Sequence, residues 1–157
     1  RSALLTASVL LVVAASAAFA WVLTIEGVPQ QLAETIVSWN LSPVTFLVAV
    51  NILLLLFGIF MEPLPGVMIL VPILAPIASA LGIDPIHFAM VVIVNLTLGM
   101  IIPPGGGLLL VTSVATKVPL AALTRELPPF LLAHLVVLIM LTFIPAISTW
   151  LPHTLGF

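Results

Sequence analysis

Apolar stretches of bilayer-spanning length recur along this chain, and that excludes most of what a sequence of its size can fold into. A helix crossing hydrocarbon needs about 20 predominantly apolar residues, at about 1.5 Å rise each. Such runs occupy 3–23, 44–60, 67–81, 86–102, 108–118 and 127–150, some near that length alone and some as closely spaced pairs. Composition points the same way. Of 157 residues, 63% are hydrophobic and 5% are charged, with a mean hydropathy of +1.46, where a soluble domain is roughly 25% charged. The expected fold class is therefore an all-α membrane protein.

The charges exclude other functions. Three basic and five acidic residues give a net charge of −2 with no Lys/Arg cluster, so neither a nucleic-acid surface nor a polybasic lipid patch is supported. Cysteine is absent, which removes disulfides, thiolate metal sites and cysteine nucleophiles. No HExxH spacing and no phosphate loop occurs, since Gly105-Gly106-Gly107 lacks the Lys-Ser/Thr of a P-loop. An enzyme is not expected. A first residue Arg1 rather than Met suggests a piece of a longer protein.

Connectors divide the chain into segments. Residues 1–25 form a transmembrane helix, longer than a signal-peptide core, with small residues from Ala14 to Ala18 and an interfacial Trp21. Residues 26–42 are more polar. Pro29 opens a stretch in which Leu32, Ile36 and Val37 recur near helical spacing, as in a helix lying on a membrane surface. Residues 43–82 hold two apolar segments joined by Gly58-Ile59-Phe60-Met61-Glu62-Pro63-Leu64-Pro65-Gly66, the second interrupted by Pro72 and Pro76. The pair is either two full spans with a tight turn or a re-entrant hairpin with its tip near 58–65. After the turn Gly82-Ile83-Asp84-Pro85, residues 83–118 read as a helix broken at 102–107, and residues 127–151 as a last span with Pro145 near its end. Arg1, Lys117 and Arg125 fall on one side of this path and Glu26, Glu34 and Asp84 on the other. The positive-inside rule makes the first side cytoplasmic.

The most informative feature is Asn95-Leu96-Thr97-Leu98-Gly99-Met100-Ile101-Ile102-Pro103-Pro104-Gly105-Gly106-Gly107. Two prolines remove two backbone donors, and three glycines let a ligand approach the main chain. Within a bilayer such a break is tolerated where it lines a cavity. Carbonyls ending the first half-helix then suit a cation, and amides starting the second suit a carboxylate. A packing kink is the plain alternative. Glu62 is an acidic residue at the end of an apolar segment with no Lys or Arg nearby, so it either contributes to an ion site or is solvated at a turn. Asn51, Asn95 and Thr97 offer oxygens to a sodium-sized cation, though such residues more often link helices, and Asn95 stands nearest the break. His134 suits a structural hydrogen bond better than a proton relay, and His87, His153 and Asp84 read as edge and turn residues.

Five motifs in order carry a family resemblance. Gly58-x-Phe60-Met61-Glu62-Pro63, Val71-Pro72-Ile73-Leu74-x-Pro76, Gly82-Ile83-Asp84-Pro85-Ile86-His87-Phe88, Val94-Asn95-Leu96-x-x-Gly99 and Pro103-Pro104-x-Gly106 resemble the C-terminal part of the large membrane subunit of tripartite ATP-independent periplasmic (TRAP) transporters. That resemblance implies a sodium-coupled secondary carrier importing organic acids, and half of an inverted-repeat, elevator-type fold. It also implies three partners: a small membrane subunit, a periplasmic substrate-binding protein, and an N-terminal repeat of the same subunit. The setting would be the lipid bilayer of the bacterial inner membrane, with no cofactor beyond sodium as coupling ion. By the same likeness 43–82 is a re-entrant hairpin, and Pro29–Ser38 an arm between scaffold and moving domain. Gly58, Pro103, Pro104, Gly105 and Gly106 are expected around the substrate, and Met61, Glu62, Asn95, Gly99 and Ile102 around the ion. The sequence departs from many relatives at Ile102 and Leu108, where a Thr hydroxyl and an Asn amide are usual. That shifts coordination toward backbone atoms. Competing readings are a proton-coupled carrier, a channel, a structural membrane subunit and an intramembrane enzyme. The channel lacks a continuous polar stripe, the structural subunit is opposed by the helix break, and the enzyme lacks paired catalytic residues.

Overall fold

The computed structural model describes residues 2–38, 41–60, 63–103 and 107–156, and within them every regular element is helical. In chain order these are α1 (Ser2–Ile25), α2 (Val28–Ser38), α3 (Pro43–Phe60), α4 (Pro63–Ala80), α5 (Pro85–Gly99), α6 (Gly107–Thr116), α7 (Leu120–Glu126), α8 (Pro128–Phe143) and α9 (Ala146–Thr154).

Local chemistry sets several of these boundaries. Pro43 stands first in α3, where its missing N–H costs nothing. Ser42 caps that helix, its Oγ accepting from Thr45 N at 3.1 Å. α4 closes in a Schellman turn. Gly82 takes the left-handed conformation (φ 75°), with Gly82 N on Ser79 O at 3.0 Å and Ile83 N on Ala78 O at 2.9 Å. Asp84 then caps α5, its Oδ1 accepting from Ile86 N at 2.8 Å and His87 N at 3.1 Å, with Pro85 in the first turn. Pro72 and Pro76, which read as interruptions in sequence, lie inside an unbroken α4. α1, α2 and α5 pack against this helix, whose ladder lacks the two proline hydrogen bonds.

α5 is the centre of the fold, with α3, α4, α8 and α9 all against it. Its positions Phe88, Val92 and Leu96, spaced four apart, meet Phe46, Leu47, Val50 and Leu54 of α3 and Leu70, Leu74, Ile77 and Ala78 of α4 in one apolar core. Phe46 and Phe88 stack with ring centroids 6.4 Å apart. A second face of α5, Val91 and Leu98, meets Leu138 of α8. α2 lies along α4 with Ile36 packed on the core and Gln31, Glu34 and Thr35 exposed. The outer faces stay apolar and uncovered, as at Ile52 and Leu56 of α3 and Val136, Ile139 and Phe143 of α8. Among the described residues α4 is long and apolar enough to cross a membrane by itself, and α7 with α8 meets the same test as one path bent by 52°.

The α5 cap yields a prediction. The Asp84 carboxyl is held below its ordinary range chiefly by the His87 N–H, aided by the Ile86 N–H and by His153, against a smaller opposing effect of burial. A depressed folded value means the cap stabilises fully above the ordinary value of 3.8 and loses its effect as acid protonates the carboxylate. Asp84→Ala is expected to lower stability by about 1 kcal/mol near neutral pH. Thermal melts of the two proteins in detergent should converge as pH falls below 3.8 and through the depressed value of the folded carboxyl.

Candidate functional site

At the tail of α5 the chain leaves α-helical geometry at Gly99, three residues before the 102–107 region where the prolines suggest the break. Hydrogen bonding explains the early stop. In a continuing helix Gly99 O would accept from residue 103, and Pro103 has no N–H to give. Ile102 N takes that carbonyl instead at 3.2 Å, and Ile101 N takes Leu98 O at 3.1 Å, so the chain tightens into turns. α6 begins at Gly107. Pro104, Gly105 and Gly106 lie outside the described residues, as do Met61 and Glu62.

Gly58, near the end of α3, and Gly99, at the end of α5, are both buried and meet backbone to backbone. A Cβ placed on Gly58 would sit 3.1 Å from Gly99 Cα and 3.3 Å from Leu96 O. One placed on Gly99 would reach 2.5 Å from Gly58 Cα. Nothing larger than hydrogen fits there. Gly66, early in α4, is nearly as close, its added Cβ falling 3.3 Å from Leu96 Cδ1. The end of α3, the start of α4 and the tail of α5 therefore converge on Leu96 and Gly99.

One to two turns toward the head of α5 lies a buried polar chain. Asn95 Nδ2 donates to Asn51 Oδ1 at 2.7 Å and to Asn51 O at 3.0 Å. Asn51 Nδ2 donates to Thr142 Oγ1 at 2.8 Å, and that hydroxyl donates to Leu138 O at 2.7 Å. Both amide orientations are fixed by this chain, since turning either one over sets oxygen against oxygen or donor against donor. Asn95 is fully buried, and its Oδ1 has no hydrogen-bond partner among the described residues. An uncompensated buried acceptor costs about 1–3 kcal/mol, so this oxygen is a ready ligand for a donor or a hard cation. The structure thus brings together Gly58, Gly99 and Asn95 of the expected site. Ile102 packs half-buried near Leu98 and Leu131, with Pro103 beside it in the turn.

Other sequence candidates act locally. Thr97 Oγ1 bonds back to Ile93 O and Val94 O at 2.9 Å on an exposed face. His134 Nδ1 stands 3.0 Å from Phe130 O of its own helix. Sequence reasoning missed Thr142 as the third member of the asparagine chain. It also missed His87, which pairs through Nδ1 with Ser148 Oγ at 3.0 Å while its buried Nε2 has no partner among the described residues. The signal for both was a hydroxyl residue amid the apolar run of the last span, visible in sequence but silent about its partner.

A glycine-tight crossing, a proline-stopped helix and an orphaned amide oxygen thus meet within an all-helical, strongly apolar fold, and comparison with known proteins gives its family. Residues 1–147 match the family described as tripartite ATP-independent periplasmic transporter, DctM component. The chain belongs to that family. It is 58% identical over 98% of its length to a protein of Paracoccus pantotrophus provisionally named a dicarboxylate transporter subunit, covering 73% of that protein. It is 47% identical over 99% of its length to the C4-dicarboxylate TRAP transporter large permease protein of Pseudomonas aeruginosa, covering 36% of it. Identity to the sialic acid TRAP transporter large permease of Vibrio cholerae is 39% over 94% of this chain and 35% of that protein. All three are named as transporter proteins rather than enzymes, and the chain spans about a third of the length of the two permeases.

Two substitutions test the site's construction. Gly99→Ala should destabilise by about 1–3 kcal/mol, because two backbones must separate to admit a methyl group. Asn95→Asp, nearly isosteric, sets a carboxylate against Asn51 O and Oδ1. It should lower the melting temperature of the full-length subunit more than Asn95→Ala does, and equal melting of the two variants would mean the asparagine chain does not form.

Proposed function

We propose that this chain is the C-terminal part of the membrane subunit of a secondary transporter that imports a carboxylate across the bacterial inner membrane. The observation carrying this reading is the backbone contact between Gly58 and Gly99. It sets the end of α3 beside the end of α5, where the chain leaves helical geometry at Gly99. In the proposed mechanism α3 and α4 are the legs of a re-entrant hairpin, and α5 and α6 the halves of a broken helix. Sodium is the coupling ion, held by backbone and amide oxygens around Met61, Glu62, Asn95, Gly99 and Ile102. The unpartnered Oδ1 of Asn95 is the donor type a hard cation takes. The substrate carboxylate sits against the backbone amides that open α6, near Gly58 and Pro103 to Gly106, where the helix dipole favours negative charge.

Membership of the TRAP family and relatives named for C4-dicarboxylates and sialic acid support an organic-acid substrate. Delivery by a periplasmic binding protein and association with a small membrane subunit complete the proposal. The N-terminal repeat would supply the other half of the site, and motion of the hairpin and broken helix against a scaffold would carry the substrate across.

Reconstitution of the full-length subunit with its partner proteins in liposomes tests this. Uptake of a dicarboxylate should follow an imposed sodium gradient and fall by tenfold or more in Gly106→Leu, on the order of one lost preorganised donor site. Uptake driven by a proton gradient and abolished in Glu62→Gln would keep the carrier and replace its coupling ion. Absence of gradient-driven uptake of any acid would leave a structural membrane subunit.

A further inference from the structure

α9 is inside out. Its residues Ser148 and Thr149 are buried, whereas Ile147, Trp150 and Leu151, with Leu155 just beyond, are 50%, 68%, 57% and 66% exposed. The inward polar face has specific partners. Ser148 Oγ meets His87 Nδ1 at 3.0 Å, and Ser148 and Thr149 hydroxyls take Pro145 O, each at 3.0 Å. At the far end His153 Nε2 meets Asp84 Oδ2 at 3.1 Å. α9 is thus fastened along the head of α5 by polar contacts. In water such a helix would present its greasy side to solvent, so this face calls for an apolar covering.

The apolar face continues that of α8, where Val136, Val137, Ile139, Met140 and Phe143 are all about half exposed. The two helices run antiparallel to α5, with Leu138 against Val91 and Ser148 and His153 at successive levels toward its head. The chain leaves helical geometry at Ile144 (φ −121°, ψ 82°) before α9 begins. From Pro128 to Thr154 the path is longer than the roughly 20 residues that fill a hydrocarbon core. Its end, carrying Trp150 and His153, falls where amphipathic rings and polar tips collect.

We propose that α9 is an interfacial anchor whose Ile147, Trp150 and Leu151 face seats in the acyl–headgroup boundary of the bilayer. Through Ser148 and His153 it fixes the depth of the α5 head. The occupant is the lipid surface itself. The inference rests on the membrane placement proposed above and names a position within it.

Site-directed spin labelling of the full-length subunit in liposomes tests this, using Val137→Cys, Trp150→Cys and Leu151→Cys with collision by oxygen and by a water-soluble nickel complex. Val137 should read as deep hydrocarbon. Trp150 and Leu151 should read as lipid-exposed but shallow, about 5–10 Å below the headgroups. A deep Val137 with aqueous Trp150 and Leu151 overturns the anchor while leaving the membrane placement intact. Shielding of the α9 labels from both reagents assigns that face to a protein partner and overturns it too. All three labels reading aqueous would sink the membrane placement and the anchor together.

Discussion

The close approach of Gly58 and Gly99 is the constraint on which the other contacts of this fold depend. Seven residues separate Asn51 from Gly58 on α3, and four separate Asn95 from Gly99 on α5, so each pair shares one helical face. Where the glycines let the backbones meet, the asparagines one and two turns away are close enough for a side-chain amide to reach a main-chain carbonyl at 3.0 Å. A methyl group at either glycine would open the crossing and stretch that bond. Thr142, held in α8 through Asn51, belongs to the same arrangement at one remove.

Magnitudes separate what stabilises the crossing from what specifies it. Between helices in lipid there is no hydrophobic driving force, and packing and hydrogen bonds remain. An interhelical hydrogen bond there is worth about 0.6 kcal/mol on average and roughly 1.7 at most. Overpacking a close contact costs about 1–3 kcal/mol. The glycine contact therefore governs stability, and the asparagine chain governs register. In this arrangement of α3 against α5 Asn95 Nδ2 is satisfied twice, and Asn95 Oδ1 has no partner among the described residues.

Much of this was legible in the residues. Helices lie along the apolar runs, but the run expected as one span over 127–151 is divided into α8 and α9, and α7 lies in the connector before it. Pro43, Gly82 and Asp84-Pro85 stand at boundaries that the caps explain. Pro103-Pro104 announced that a helix had to stop. The stop moved to Gly99 because the effect of a missing donor falls on the carbonyl four residues earlier, and a three-residue turn then claims that carbonyl. Pro72 and Pro76 carry the same chemistry without stopping α4, against which α1, α2 and α5 pack. Tertiary surroundings are what sequence periodicity omits. For the same reason Asn95 stood out as a polar residue near a break, but its two bonds to Asn51 and its spare oxygen did not. Ser148 and Thr149 lie within the last apolar run, and only the fold shows that they face inward.

The two ends of α5 are built on opposite principles. At the head, Asp84 takes two backbone N–H groups, Pro85 removes a third, and α9 adds contacts to His87 and Asp84. Orphan donors at a helix start are costly in a dry setting, and nearly all are met. At the tail, no side chain caps Gly99. Short turns absorb Leu98 O and Gly99 O, and two prolines then forbid the next bonds of the ladder. The helix is clamped at one end by side chains and closed at the other, around Gly99, by short turns alone. That place is where Gly58 brings the end of α3, and where Gly66 brings the start of α4 against Leu96. The ends of α3 and α5 thus meet through two glycines, with no side chain of either residue at the contact. The contact presents the main-chain atoms of its two glycines rather than charged side chains, which agrees with the scarcity of charge in the chain as a whole.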